Sequence, residues 1–262
     1  MTDTTDDVKL RFGQHADAYV TSAGHASGDD LELLLSLAGI IPGEAALDVA
    51  TGGGHVALAL ARAGARVTAC DLTPEMLDAA RRHLADNGQT AEFVEASAGV
   101  LPFPDESFDV VTCRIAAHHF PDPAAFFLEA ARVLRPHGRL AFQDQALPDD
   151  AAGAEQVDAF ERLRDPSHNR GFAVSGWVEL VGSAGLEVEA QALVEKRHDF
   201  VDWCARQGCT ERTVEALTDL AAGMSEAART WIEPEWSRGP RGRVLDAFTN
   251  RHLVLLARKA VG

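Results

Sequence analysis

The stretch LDVATGGGHVALALA, Leu47 to Ala61, constrains this 262-residue chain more than any other. An apolar run leads into Gly52-Gly53-Gly54 and continues as Val, Ala and Leu at helical spacing. Strand, glycine turn and helix, in that order, form the unit that cradles a nucleotide-like cofactor at a helix N-terminus. The alternation continues downstream. RVTACD, AEFVEA, FDVVTCRIA and RLAFQDQ read as further strands. Thr73-Pro74 and Asp122-Pro123 each set a capping residue before a proline, opening EMLDAARRHLADNG and AAFFLEAARVLRPHG as helices. WVELVGSAG and LEVEAQALVE add a helix and a strand, and HLVLLARK is apolar enough for a buried final strand. The pattern predicts an α/β fold of Rossmann-like type, a mostly parallel sheet with helices on both faces.

Two segments interrupt the alternation. Residues 1–44 look helical, and SGDDLELLLSLAG begins with capping-box spacing from Ser27 to Asp30. Residues 199–243, rich in Ala, Glu and Trp, fall between the last two strands. The expected organisation is one domain over 1–262: a helical cap at 1–44, a core at 45–198, a helical insertion at 199–243 and a last strand at 244–262. Cap and insertion are expected to form a lid over the mouth of the sheet. Trp177, Trp203, Trp231 and Trp236 read as core or lid packing.

A formal charge of −16, with only Lys9, Lys196 and Lys259 as lysines, argues against nucleic acid or an anionic membrane surface as partner. No uncharged apolar run of about 18 residues is present, so no membrane span is expected. The acidic start MTDTTDDVKL is not signal-like, and the expected location is cytoplasmic. Cys70 and Cys113 fall in strands as small hydrophobes, while Cys204 and Cys209 lack histidines at ligand spacing. No metal is expected. The assembly, monomer or homodimer, is left open.

Gly52, Gly54 and Ala57 satisfy GxGxx(G/A), and Asp71 lies 19 residues after Gly52, which is the dinucleotide fingerprint. An NAD-dependent oxidoreductase is therefore one reading. Asp48 argues against it. A pyrophosphate brings about two negative charges to this turn, and no Lys or Arg lies between Asp48 and Ala61 to offset the carboxylate. S-adenosylmethionine carries a sulfonium and an ammonium and no phosphate, so an acid beside the turn favours it. Asp71 suits either cofactor, because both offer a ribose diol to a carboxylate.

Four stretches in order, LDVATGGGHVALALA, VTACDLTPEML, LPFPDESFDVVTCRIAAHHF and RVLRPHGRLAF, resemble the successive motifs of class I S-adenosylmethionine-dependent methyltransferases. The likeness spans about residues 10 to 195 and is nearest to the small-molecule group that includes the ubiquinone/menaquinone-biosynthesis enzymes. It implies a seven-stranded sheet with an antiparallel last strand, and S-adenosylhomocysteine as product. By position it assigns Asp48 and Gly52 to the methionine end, Asp71 to the ribose, Leu72 to the adenine face and Ser97-Ala98 to the adenine edge. Ala50, Gly54, Met76 and Arg114 join this cofactor set. Ala50 stands where the family usually has glycine, and Ser97 where it often has Asp.

The stretch after the fourth strand, CRIAAHHF, is expected to face the transferred methyl. Methyl transfer needs an aligned nucleophile and, for a protic acceptor, a base. His118 and His119 are the candidate bases, with Arg114 beside them; the competing expectation is that the histidines pack under the next helix. ERLRDPSHNRGF offers Arg164, His168 and Arg170 as contacts for a carboxylate or phenolate of the acceptor, or as a loop closed by its own Arg–Asp pair. His15 and His25 are weaker candidates of the same kind, and a metal built on Asp144, His118 and His168 is the least favoured arrangement. The expected activity is methyl transfer to a small organic acceptor at carbon or oxygen. A non-catalytic S-adenosylmethionine-binding protein would carry the same cofactor motifs.

Overall fold

The computed structural model describes residues 29–239 and 242–260, and the chain divides into two compact units. The first comprises residues up to Asp144 with Val178–Ala192 and the segment from Val254; the second comprises Gln145–Trp177 and Leu193–Leu253. The expectations placed on His15, His25 and Ser27 lie outside the described residues.

In the first unit, helix α1 (Asp29–Ala38) precedes strand β1 (Ala45–Val49). The alternation then runs α2 (His55–Arg62), β2 (Arg66–Asp71), α3 (Pro74–Asp86), β3 (Glu92–Glu95), β4 (Phe108–Arg114), α4 (Pro123–Val133) and β5 (Leu134–Leu147). β1 is parallel to both β2 and β4, β2 to β3, and β4 to β5. Ala46, Leu47, Val49, Val110, Val111 and Leu140 are buried. Such near-continuous apolar strands are what a sheet covered on both faces requires. The strand order β3-β2-β1-β4-β5 means the chain leaves β1 toward one edge and returns to its other side for β4. Crossovers diverge there, and a crevice opens at the carboxyl ends of β1 and β4.

The sheet path continues through β9 (Gly242–Lys259) to β7 (Leu186–Asp199), giving the seven strands expected. β9 also pairs antiparallel with β8 (Glu235–Gly239), and the short β6 (Phe172–Ala173) pairs parallel with β5. Burial alternates along β7, with Glu187, Glu189 and Glu195 on the exposed side, as suits a strand at the end of the path.

The second unit holds α5 (Ala151–Arg164), α7 (Phe200–Ala205), α8 (Glu211–Ala222) and α9 (Glu226–Ile232); α6 (Val174–Ser183) begins within it. Its core is aromatic. Phe160 stacks on Trp203 at 5.1 Å, and Trp203 meets Phe248 edge-on at 4.7 Å. Trp177 is buried and donates to Gln145 O, while Trp231 and Trp236 are partly buried against the core cluster.

Three local readings need correction. The helix expected to run through AAFFLEAARVLRPHG stops at Val133, and Leu134 already pairs with Phe108. Pro136 cannot continue a helix, and His137 takes a left-handed φ of 64° where the strand begins irregularly. The segment 199–243 is helical only as far as Ile232. Glu233 turns left-handed (φ 44°), Pro234 follows, and residues 235–239 form β8. Asp122 caps α4 by accepting from Ala124 N and Ala125 N, whereas Thr73 gives α3 no side-chain cap. The Thr73 side chain bonds the Asp71 carboxylate instead.

Candidate active site

Two turns, one after β1 and one after β4, enclose a cavity of about 260 Å³ in the first unit. Its lining includes Asp48, Ala50, Gly52, Asp71, Leu72, Met76, Ser97, Ala98, Arg114 and His119. Of the residues expected at the cofactor, only Gly54 is missing from that lining.

The first turn combines left-handed backbone with bonds to β2. Ala50, Gly52 and Gly54 all have positive φ, at 54°, 53° and 78°. A left-handed alanine costs about 1 kcal/mol, so Ala50 carries mild strain where glycine would carry none. Gly54 serves packing: a Cβ there would lie 2.9 Å from Ala80 Cβ and 3.1 Å from Leu84 Cδ1, so only glycine lets α2 approach α3 this closely. Gly52 N donates to Asp71 Oδ2 at 2.9 Å, and Thr73 N donates to Asp71 Oδ1 at 3.0 Å. The Thr73 hydroxyl adds a further bond to this carboxylate. Burial raises the Asp71 pKa, and these backbone bonds partly oppose the rise.

Asp48 is 2% exposed. Thr51 Oγ1 donates to its Oδ2 and Thr112 Oγ1 to its Oδ1, both at 2.7 Å. Desolvation nevertheless pushes its pKa up to about 6, with the hydroxyl bonds pulling the other way. A cation entering the cavity would reverse that penalty.

The second turn is held from outside. Ile115, a β-branched residue, adopts φ 53°, a conformation rare for its type. Its N–H donates to Gln143 O at 2.7 Å. Asp144, fully buried, accepts from His118 N at 3.1 Å and bonds His118 Nδ1 at 2.5 Å. The histidine pair therefore divides. His118 turns into the protein onto Asp144, and His119, whose ring lies 4.1 Å from that of His118, lines the cavity. Arg114 lines it too, with Nε on Gln143 Oε1 at 3.0 Å and Nη2 on Asp30 Oδ2 at 2.6 Å.

Arg164, His168 and Arg170 belong to the second unit. Arg164 donates to Trp203 O and lies 4.3 Å over that indole ring. His168 bonds Asp158 at 2.7 Å, and the exposed Arg170 lies over Phe172 at 4.8 Å. Asp144 and His118 do meet, but the described residues contain no group of three potential metal ligands. Sequence reasoning missed Asp30, Gln143, Thr51 and Thr112. The available signal was polar residues in otherwise apolar strands: Thr112, Gln143 and Asp144 are all fully buried.

Comparison with known proteins identifies the architecture. Residues 47–142 match the methyltransferase domain model. The uncharacterized methyltransferase YcgJ of Bacillus subtilis is 33% identical over 222 residues, covering 84% of this chain and 88% of that protein. The chain belongs to the methyltransferase family. The crystal structure of YcgJ superposes with a TM-score of 0.83 at 29% identity, covering 89% of this methyltransferase and 99% of its relative. The 27-O-demethylrifamycin SV methyltransferase of Amycolatopsis mediterranei is 41% identical over 162 residues, 59% of each chain. These likenesses lend no support to the oxidoreductase reading. Among the described residues no helix of the methyltransferase is long and apolar enough to cross a membrane.

Proposed function

We propose that the methyltransferase binds S-adenosylmethionine in the cavity between the two turns and methylates a small organic acceptor at oxygen or carbon. The observation that carries this reading is Asp48, a carboxylate at the glycine turn that is 2% exposed and lines the cavity, where burial pushes its pKa up to about 6 and a bound cation would be favoured. The methionine ammonium and the sulfonium would supply it. In this reading Asp48 and Gly52 hold the methionine end, and Asp71 takes the ribose diol. Leu72 and Met76 flank the adenine, and Ser97-Ala98 meet its edge. Ala50 gives the first turn its shape, and Gly54 keeps α2 against α3.

His119 is the candidate base, since it lines the cavity while His118 is committed to Asp144. The acceptor lone pair bonds the methyl carbon as the carbon–sulfur bond breaks, leaving neutral S-adenosylhomocysteine. A hydroxyl proton passes to His119 in the same displacement. The relative named for 27-O-demethylrifamycin SV favours oxygen as the acceptor atom. On the acceptor side Arg170 is the exposed candidate, whereas Arg164 and His168 are committed to partners in the second unit. One functional domain spans the chain, with 45–198 as its cofactor core. A net charge of −16 and four free cysteines fit a small-molecule acceptor and a cytoplasmic setting.

The test is methyl transfer from labelled S-adenosylmethionine to a panel of phenols, hydroquinones and aliphatic alcohols. Transfer to at least one class is expected, with His119→Ala slowing single turnover roughly 10²- to 10⁴-fold at unchanged cofactor affinity. Cofactor binding without transfer to any acceptor would make this a binding protein. Unchanged turnover in His119→Ala would remove the base.

A further inference from the structure

Among the described residues lining the cavity, Arg114 is the one Lys or Arg, and the proposed ligand is itself cationic. A bare guanidinium there would oppose binding. It is not bare. Asp30, on α1 and 84 positions away in sequence, places Oδ2 at 2.6 Å from Arg114 Nη2. Gln143 closes a three-membered ring, accepting from Arg114 Nε at 3.0 Å and donating from Nε2 to the same Asp30 oxygen at 2.8 Å. The Arg114 and Asp30 side chains are only 5% and 1% exposed, so water screens the pair little.

We propose that Asp30 is a positioning residue that sets the charge of the cavity: by neutralising Arg114 it lets the carboxylates of Asp48 and Asp71 dominate, and so favours the sulfonium-bearing donor over its neutral thioether product. This deepens the cofactor reading above and rests on it. The two ligands share adenine, ribose and amino-acid groups and differ in a methyl and one positive charge. A charge that acts at a distance therefore shows in the ratio of their affinities, while a loss of shape lowers both together.

The experiment is calorimetry of S-adenosylmethionine and S-adenosylhomocysteine at low salt against the full chain. Four forms are compared: unsubstituted, Asp30→Asn, Arg114→Gln, and the two substitutions combined. The product-to-donor ratio of dissociation constants should fall about tenfold in Asp30→Asn, rise in Arg114→Gln, and return to within about threefold of the starting value in the double variant. Should Asp30→Asn fail to fold, the fall from Arg114→Gln to the double variant measures the same charge. Equal ratios in all folded forms, or shifts of one sign for both single variants, would overturn the proposal. If the unsubstituted chain bound neither ligand, the cofactor reading would fail instead.

Discussion

The turns after β1 and β4 stand side by side at the same end of the sheet, and both force a non-glycine residue into left-handed backbone, Ala50 in one and Ile115 in the other. They are built in different ways. The first carries glycines at 52 and 54 that take the required φ; Gly54 N bonds Thr51 O locally, and Thr51 N and Gly52 N bond Cys70 O and Asp71 of β2. The second contains no glycine and is held by Gln143 and Asp144 of the neighbouring strand. A cofactor site needs a turn whose backbone a ligand can approach closely. A turn that presents side chains to a reacting group needs residues other than glycine, and their conformation must then be enforced by contacts distant in sequence. Strain of this sort collects at functional sites, where the surroundings hold it in place.

Removing the external support should have the largest effect. Asp144→Ala leaves His118 N and Nδ1 without a buried carboxylate, and breaking a buried pair typically costs about 3–5 kcal/mol. Urea denaturation should show that loss together with slowed turnover. A variant of unchanged stability and rate would mean the second turn holds itself.

The next effect comes from the first turn and depends on pH. The folded Asp48 pKa, about 6, lies above its ordinary value of 3.8. The ligand-free fold therefore has this residue's contribution in full below about pH 4 and loses it as pH rises through 6, by about 3 kcal/mol. Asp48→Asn should flatten that part of the stability profile and stabilise the ligand-free protein near neutrality. Affinity for S-adenosylmethionine should move oppositely in the unsubstituted chain, rising with pH across the same range. Parallel profiles for the two forms would show that Asp48 keeps an ordinary pKa.

Asp71→Ala removes a carboxylate proposed to take two ribose hydroxyls and should weaken cofactor binding by about one to two decades. Calorimetry showing unchanged affinity would detach the end of β2 from the ribose. Ala50→Gly should have the smallest effect. Relief of left-handed strain, about 1 kcal/mol, is nearly offset by the greater freedom of glycine in the unfolded chain. The expected net is stabilisation below about 1 kcal/mol, read as a small upward shift in Tm. A large loss would mean the Ala50 methyl is needed for packing.

The contrast between the turns also separates what is legible in the sequence from what is not. The strand–glycine–helix unit, the Asp122 cap and the apolar parallel strands follow from spacing within a few residues, and each can be read from its own stretch. The division of labour between His118 and His119 depends on Asp144, 26 positions from His118, and no local pattern distinguishes the two rings. The Asp30–Arg114–Gln143 ring spans 113 positions and is equally invisible. The end of α4 escapes a local reading because the pattern of Ala, Phe and Leu gives no sign that Leu134 is needed opposite Phe108. Even so, Pro136 is a visible stop.

The cavity at the first turn is proposed to take a cationic adenosyl cofactor and not a dinucleotide. Thermal denaturation of dialysed protein with saturating S-adenosylmethionine, S-adenosylhomocysteine or NAD tests it most directly. Both adenosyl ligands should raise Tm, corresponding to about 2.7 kcal/mol at a hundred times the dissociation constant, while NAD leaves it unchanged. A clear shift with NAD and none with the adenosyl ligands would contradict that assignment.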